Sequence, residues 1–202
     1  MTQVESPAIP SAKDARHRGA FIEMLVSSII GLVASFVLSV DALILAADPN
    51  AIFSCDINTK ISCGTVGTSW QANFLGFPNA YLGLITEPIV ITLAVAALGG
   101  VRFPRWFMNT AQVFYAIGFL FAYWLFYQSY FHIGALCPWC LTITVTTTLV
   151  FGSMTRVNIL DGNLRFGRYT ETIQGLVRSW VDIYITVVIL VLLAAMVLVR
   201  YL

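Results

Sequence analysis

Five apolar stretches, roughly Phe21 to Ala47, Asn79 to Leu98, Trp106 to Phe131, Leu136 to Met154 and Val181 to Leu202, meet the length of about 20 residues that a helix needs to cross a bilayer core. Only 10% of the chain is charged and 58% is hydrophobic, where an average soluble domain is about 25% charged. These features describe an integral, all-α membrane protein. The net charge of +1 comes with no basic tract and no interleaving of aromatic and basic residues, so no nucleic-acid partner is expected.

Alternation of the loops across the membrane sorts the cations. Lys13, Arg16 and Arg18 precede the first span, Arg102 and Arg105 lie between the second and third, and Arg156, Arg165, Arg168 and Arg178 lie between the fourth and fifth. The other face holds Lys60 and Arg200, so nine of the eleven cations share one side, which the positive-inside rule makes cytoplasmic. The expected organisation is a cytoplasmic tail over 1–19, a four-span core over 20–154 with an extracytoplasmic loop over 48–78, a cytoplasmic loop over 155–180 that has room for a short helix, and a fifth span over 181–202. The first span lies too far into the chain, with no convincing small-residue cleavage signature after it, to read as a removed signal peptide. The expected location is therefore the inner (plasma) membrane, with the N-terminus inside and the C-terminus outside.

All four cysteines fall on the outer face: Cys55 and Cys63 in the long loop, and Cys137 and Cys140 where the fourth span begins. Such a face meets an oxidising compartment. Cys137-Pro138-Trp139-Cys140 is a C-x-x-C pair at a helix start, where free N–H groups and the positive dipole end favour a thiolate. Pro138 suits the first turn because its missing N–H would have no partner there. Three readings fit two such pairs: a dithiol–disulfide relay, a pair of structural staples, or a thiolate carrier of zinc or copper. Short loops yield the least stabilisation, and the chain has only two histidines, so the relay is preferred and no metal ligands are assigned.

The run Cys55-Asp56-Ile57-Asn58-Thr59-Lys60-Ile61-Ser62-Cys63 resembles the loop of vitamin K epoxide reductase and its bacterial homologues, where seven residues separate two cysteines and Ile-Ser precedes the second. Trp70, Gly76 and Asn79 fall near that family's tryptophan, glycine and pocket asparagine, and Cys137-Pro138-Trp139-Cys140 matches its membrane pair. The resemblance spans about residues 21 to 154. It implies a four-helix transmembrane bundle around a quinone, menaquinone or ubiquinone, which accepts the electrons. It also implies that Cys55 meets a reduced thioredoxin-fold protein of the DsbA type, that Cys63 shuttles to Cys137, and that Cys140 lies against the quinone. Two departures stand out. Animal enzymes carry a tyrosine four residues beyond the second membrane cysteine, where this chain has Thr144, so epoxide reduction is not the expected task. Many bacterial homologues carry a fused thioredoxin-like domain after the fifth span, whereas this sequence stops at Leu202, so a separate extracytoplasmic partner is expected.

Several other residues have two readings each. Asn79 is a quinone hydrogen-bond donor or a helix N-cap. Trp139 packs on the quinone or simply fills a helix start. Trp70, Phe74 and Phe77, at i, i+4 and i+7, form one face over the bundle mouth if helical, or else an interfacial belt. Asp41 and Glu87 are ionisable groups in apolar spans and so candidate sites for feeding protons to a quinone. Against this, Asp41 is near enough to the interface to be merely interfacial, and Glu87 beside Pro88 can satisfy backbone opened by a kink. His132 reads as interfacial.

Overall fold

A computed structural model describes residues 12–164 and 166–201. The chain is helical throughout: α1 (Ala12–Ala47), α2 (Cys63–Gly67), α3 (Ala80–Leu98), α4 (Arg105–Gln128), α5 (Pro138–Leu160), α6 (Thr170–Arg178) and α7 (Val181–Tyr201), with short 3₁₀ or π turns between some of them. Among the described residues there are no strands, only an isolated parallel bridge between Ile61 and Leu136. Five helical stretches are long and apolar enough to cross a membrane: His17–Ala47, Ala80–Leu98, Arg105–Ile133, Pro138–Leu160 and Val181–Tyr201.

Helix α5 is the hub. It packs on α1, α4 and α7, while α1 also packs on α3. Half of its most apolar stretch is buried, against 6% for α7, which explains why its interior is rich in small hydroxyl residues rather than leucine. Lipid tails are as apolar as side chains, so membrane helices associate through close packing of small residues. Ser28, Ala34 and Ser35 of α1 are fully covered. A side chain at Gly83 would collide with Ser35, and one at Gly31 would press on Thr146 and Glu87, so both glycines set the spacing of the bundle. Further along, Met24, Val90, Ala94, Met108, Val150 and Met154 form the apolar core.

Two boundaries differ from the sequence reading. Helix α1 starts at Ala12, inside the stretch expected to be a tail; residues 1–11 lie outside the described residues. Helix α5 continues to Leu160, six residues past the expected end at Met154. A charged residue at 156 looked like a loop cation, but Arg156 is only 4% exposed and its Nη1 donates to both carboxylate oxygens of Asp182 at 2.7 Å. The expected loop over 155–180 therefore contains the last turns of α5 and all of α6.

At the end away from the cysteines, polar side chains tie the bundle together. The guanidinium of Arg105 donates to the Gly162 and Asn163 carbonyls, and Asn158 joins the Met108 carbonyl, Gln112 and Asn163.

Candidate functional site

The loop over 48–78 is folded back on the bundle by hydrogen bonds that its sequence supplies locally. One carboxylate oxygen of Asp56 accepts from Phe53 N at 2.7 Å, and the other accepts from the Ser62 hydroxyl at 2.8 Å and Gly64 N at 2.9 Å. Burial pushes the Asp56 carboxyl up, but the donors Gly64 N, Phe53 N, the Ser62 hydroxyl and Cys63 N outweigh it and hold the group below its ordinary value. Ser62 caps α2 by accepting from Thr65 N, so Cys63 occupies the first position of a short helix.

The bridge between the loop and the fourth span then joins the two cysteine pairs. Ser62 N donates to the Leu136 carbonyl at 3.0 Å and Leu136 N donates to the Lys60 carbonyl at 2.8 Å. Each of these residues is next to, or within three of, a cysteine, so two backbone hydrogen bonds fix the spacing of the pairs. Cys55 and Cys63 form a disulfide, with their Cα atoms 5.7 Å apart, while Cys137 and Cys140 are free thiols. The Cys137 sulfur is 3.3 Å from the Cys63 sulfur and is fully covered.

Pro138 holds the first position of α5, and Cys137 is its N-cap, with its sulfur accepting from Cys140 N at 3.4 Å. Leu38, Phe53, Ile133, Trp139 and Cys140 pack around the sulfurs. This dry, preformed contact suits thiol–disulfide exchange, which needs one sulfur in line to attack another.

The remaining sequence candidates distribute as follows. Asn79 occupies the N-cap position of α3, but its side chain makes no capping bond; its Nδ2 donates to the Gln71 carbonyl at 2.6 Å, and its Oδ1 is buried without a partner. Trp70, Phe74 and Phe77 do not share one helical face, because only Trp70–Asn73 is helical and the chain turns at Gly76 with φ at 83°. Trp70 and Phe74 pack on Trp124 instead, and Phe77 stacks on Tyr81. Thr144, where animal enzymes have tyrosine, is buried and its hydroxyl donates to the Cys140 carbonyl. His132 lies in the turn after α4, its ring 5.6 Å from that of Tyr127.

Glu87 is buried and accepts from the Tyr115 hydroxyl at 3.3 Å, beside Gly31 and Thr146. Thr146 lies six residues beyond Cys140, about 9 Å along the helix, so Glu87 belongs to the bundle middle rather than to the sulfurs. Asp41 is nearer. A carboxylate oxygen of Asp41 and the sulfurs of Cys55 and Cys63 all lie within 4.8 Å of one another. With the two sulfurs bonded to each other, neither is the thiolate that a soft metal requires. Reading the sequence identified the four cysteines but missed the roles of Asp56, Ser62 and Leu136. Their only signal was an acid directly after Cys55 and a serine directly before Cys63.

No curated protein matches the chain. The sequence profile of the vitamin K epoxide reductase family matches residues 22–155, which takes in most of α1, all of α2, α3 and α4, most of α5 and both cysteine pairs. A membrane bundle with a loop disulfide in contact with a second cysteine pair agrees with that match, and the chain belongs to the vitamin K epoxide reductase family.

Proposed function

We propose that the protein is a membrane thiol:quinone oxidoreductase that reoxidises a secreted thioredoxin-fold protein of the DsbA type and so supports disulfide-bond formation. The observation that carries this reading is the 3.3 Å contact between the Cys137 thiol and the Cys55–Cys63 disulfide. Family membership supports the electron acceptor, since the family uses a quinone substrate. The cation distribution supports the orientation, with both cysteine pairs facing the oxidising side.

The proposed sequence starts with a thiolate of the partner attacking Cys55 and leaving Cys63 as the thiolate. The partner's second thiolate then attacks the mixed disulfide, so the partner leaves oxidised and the loop pair is left reduced. Cys63 attacks Cys137 of an oxidised Cys137–Cys140 pair, the Cys63–Cys137 bond forms, and Cys140 departs as a thiolate. Cys55 attacks Cys63 next, which re-forms the loop disulfide and frees Cys137. A loop disulfide beside a reduced Cys137–Cys140 pair is the state that this step would leave. A quinone substrate supplies a two-electron, two-proton acceptor. Cys140, Trp139 and Asn79 are the residues that would meet it; the unpartnered Asn79 Oδ1 is an acceptor and would take an O–H of the reduced quinol, while only the Nδ2 hydrogen not spent on the Gln71 carbonyl would remain to donate to a quinone carbonyl. The Thr144 hydroxyl is spent on the helix backbone, which leaves no phenol in the place where animal enzymes have one.

The test is quinone reduction by the purified protein, driven by a reduced thioredoxin-fold substrate. Wild-type protein should turn over, and Cys140→Ser should fall to background while still forming the loop disulfide. Full activity in Cys140→Ser would remove the proposed route, and zinc or copper bound in stoichiometric amount with no turnover would favour a metal carrier.

A further inference from the structure

An aspartate in an apolar helix is costly and calls for a use. Asp41 lies near the end of α1, in the run Ser39-Val40-Asp41-Ala42-Leu43-Ile44, and one of its carboxylate oxygens lies within 4.8 Å of both loop sulfurs. Among the described residues no cation pairs with it. The groups facing it are Cys55, Cys63 and Asp56 from the loop, Cys137 at the N-cap of α5 and Cys140 in its first turn. On α3, Tyr81 stacks on Phe77, and Glu87 lies against Gly31, ten residues back along α1 or about 15 Å by helical rise.

A fixed carboxylate beside a sulfur opposes formation of a thiolate there, because like charges repel. The penalty disappears if the carboxylate itself takes the thiol proton, since it becomes neutral as the thiolate forms. We propose that Asp41 is the proton acceptor and donor for thiol–disulfide exchange between the loop pair and the membrane pair.

This inference rests on the relay reading and adds the proton path to it. In the closing step the Cys55 thiol gives its proton to Asp41 and attacks the Cys63 sulfur of the Cys63–Cys137 bond. The Cys55–Cys63 bond forms, the Cys63–Cys137 bond breaks with its electron pair on Cys137, and the neutral Asp41 carboxyl then protonates that thiolate. Two electrons and one proton pass from the loop to Cys137 in this step, and no outside oxidant is needed. The preceding attack of Cys63 on Cys137 uses the same carboxylate, as the proximity of Asp41 to both loop sulfurs allows.

The test follows the exchange without any quinone, so that failure of quinone reduction and failure of this inference give separate results. Full-length protein in phospholipid nanodiscs, oxidised at both pairs, is mixed with dithiothreitol, acid-quenched, and read by mass tagging of Cys137 and Cys140; a Cys55→Ser/Cys63→Ser variant supplies the direct background. Asp41→Asn should slow loop-dependent exchange by roughly 100-fold at pH 6.5, the low end for loss of a general base, whereas Asp41→Glu should stay within about tenfold of wild type. The Asn variant should recover about tenfold per pH unit towards the ordinary thiol range near 8.5, while wild type stays flatter. An Asn variant as fast as wild type at pH 6.5, or slowed by one constant factor at every pH, overturns the assignment. A solvent deuterium isotope effect on the unaltered protein is the second measurement, needed if the Asn variant does not fold; its absence overturns the assignment as well.

Discussion

Asp56 organises the cysteine loop with one side chain, accepting from Phe53, Ser62 and Gly64 across the span between the two loop sulfurs. Its carboxyl is held below the ordinary value, so the stabilisation it gives is fully present above the unfolded-state value near 3.9 and is lost as pH falls through the lower folded-state value. The loop should therefore be ordered at neutral pH and loosen only in strong acid. Asp56→Asn removes the charge and turns one acceptor into a donor that faces N–H groups. We expect loop amides around Ile57 to Ser62 to exchange faster with deuterium at pH 7 and partner-driven turnover to drop about tenfold, the factor for loss of one charge-assisted hydrogen bond. Unchanged exchange in that segment would mean that the backbone bridge at Leu136 holds the loop by itself. Beyond its place directly after Cys55, nothing in the sequence distinguished Asp56 from any exposed loop acid, because its three donors come from residues before and after it that meet only once the loop is closed.

At the scale of elements, α7 is fastened to the four-helix core at three heights. Arg156 of α5 pairs with Asp182 and lies 4.6 Å over the Trp180 ring, while a side chain at Gly152 would press on Thr186. At the cysteine end the Tyr201 hydroxyl donates to the Ser129 carbonyl and Arg200 lies over Tyr130. Trp180 adopts φ of 67°, a conformation rare for a large side chain, at the turn that carries its ring beneath Arg156. A buried ion pair that loses one partner leaves an uncompensated charge, so Asp182→Ala should cost roughly 3–5 kcal/mol. Thermal unfolding in detergent should show the loss, and quinone reduction per folded molecule should stay near wild type, because these contacts of α7, at Arg156, Gly152, Ser129 and Tyr130, involve no cysteine. A turnover defect without a stability defect would give α7 a part in catalysis. This pairing also explains why the end of α5 was misread: a charge marks the edge of a span only when it is solvated, and pairing across 26 residues cannot be seen locally.

For the whole molecule, the number of spans, their order and the grouping of the cysteines were legible because lipid imposes length and composition on every spanning segment. What stayed hidden was contact. The sequence places Cys63 and Cys137 on one face but does not say that a bridge through Ile61 and Leu136 brings them together, nor that Asp41 sits against the loop pair. Those facts depend on packing between distant segments, which no periodicity records. Asn79 shows the same limit, since its side chain serves the Gln71 carbonyl rather than the helix it precedes. Electrons crossing from loop to membrane pair through Cys63 and Cys137 are the core of the proposed mechanism, and a variant carrying Cys55→Ser and Cys140→Ser tests this directly by leaving only those two cysteines. After mild oxidation in membranes, non-reducing electrophoresis and mass spectrometry of linked peptides should find a Cys63–Cys137 disulfide within one chain. Two free thiols under conditions that oxidise the loop pair of the wild type, or links only between chains, would contradict it.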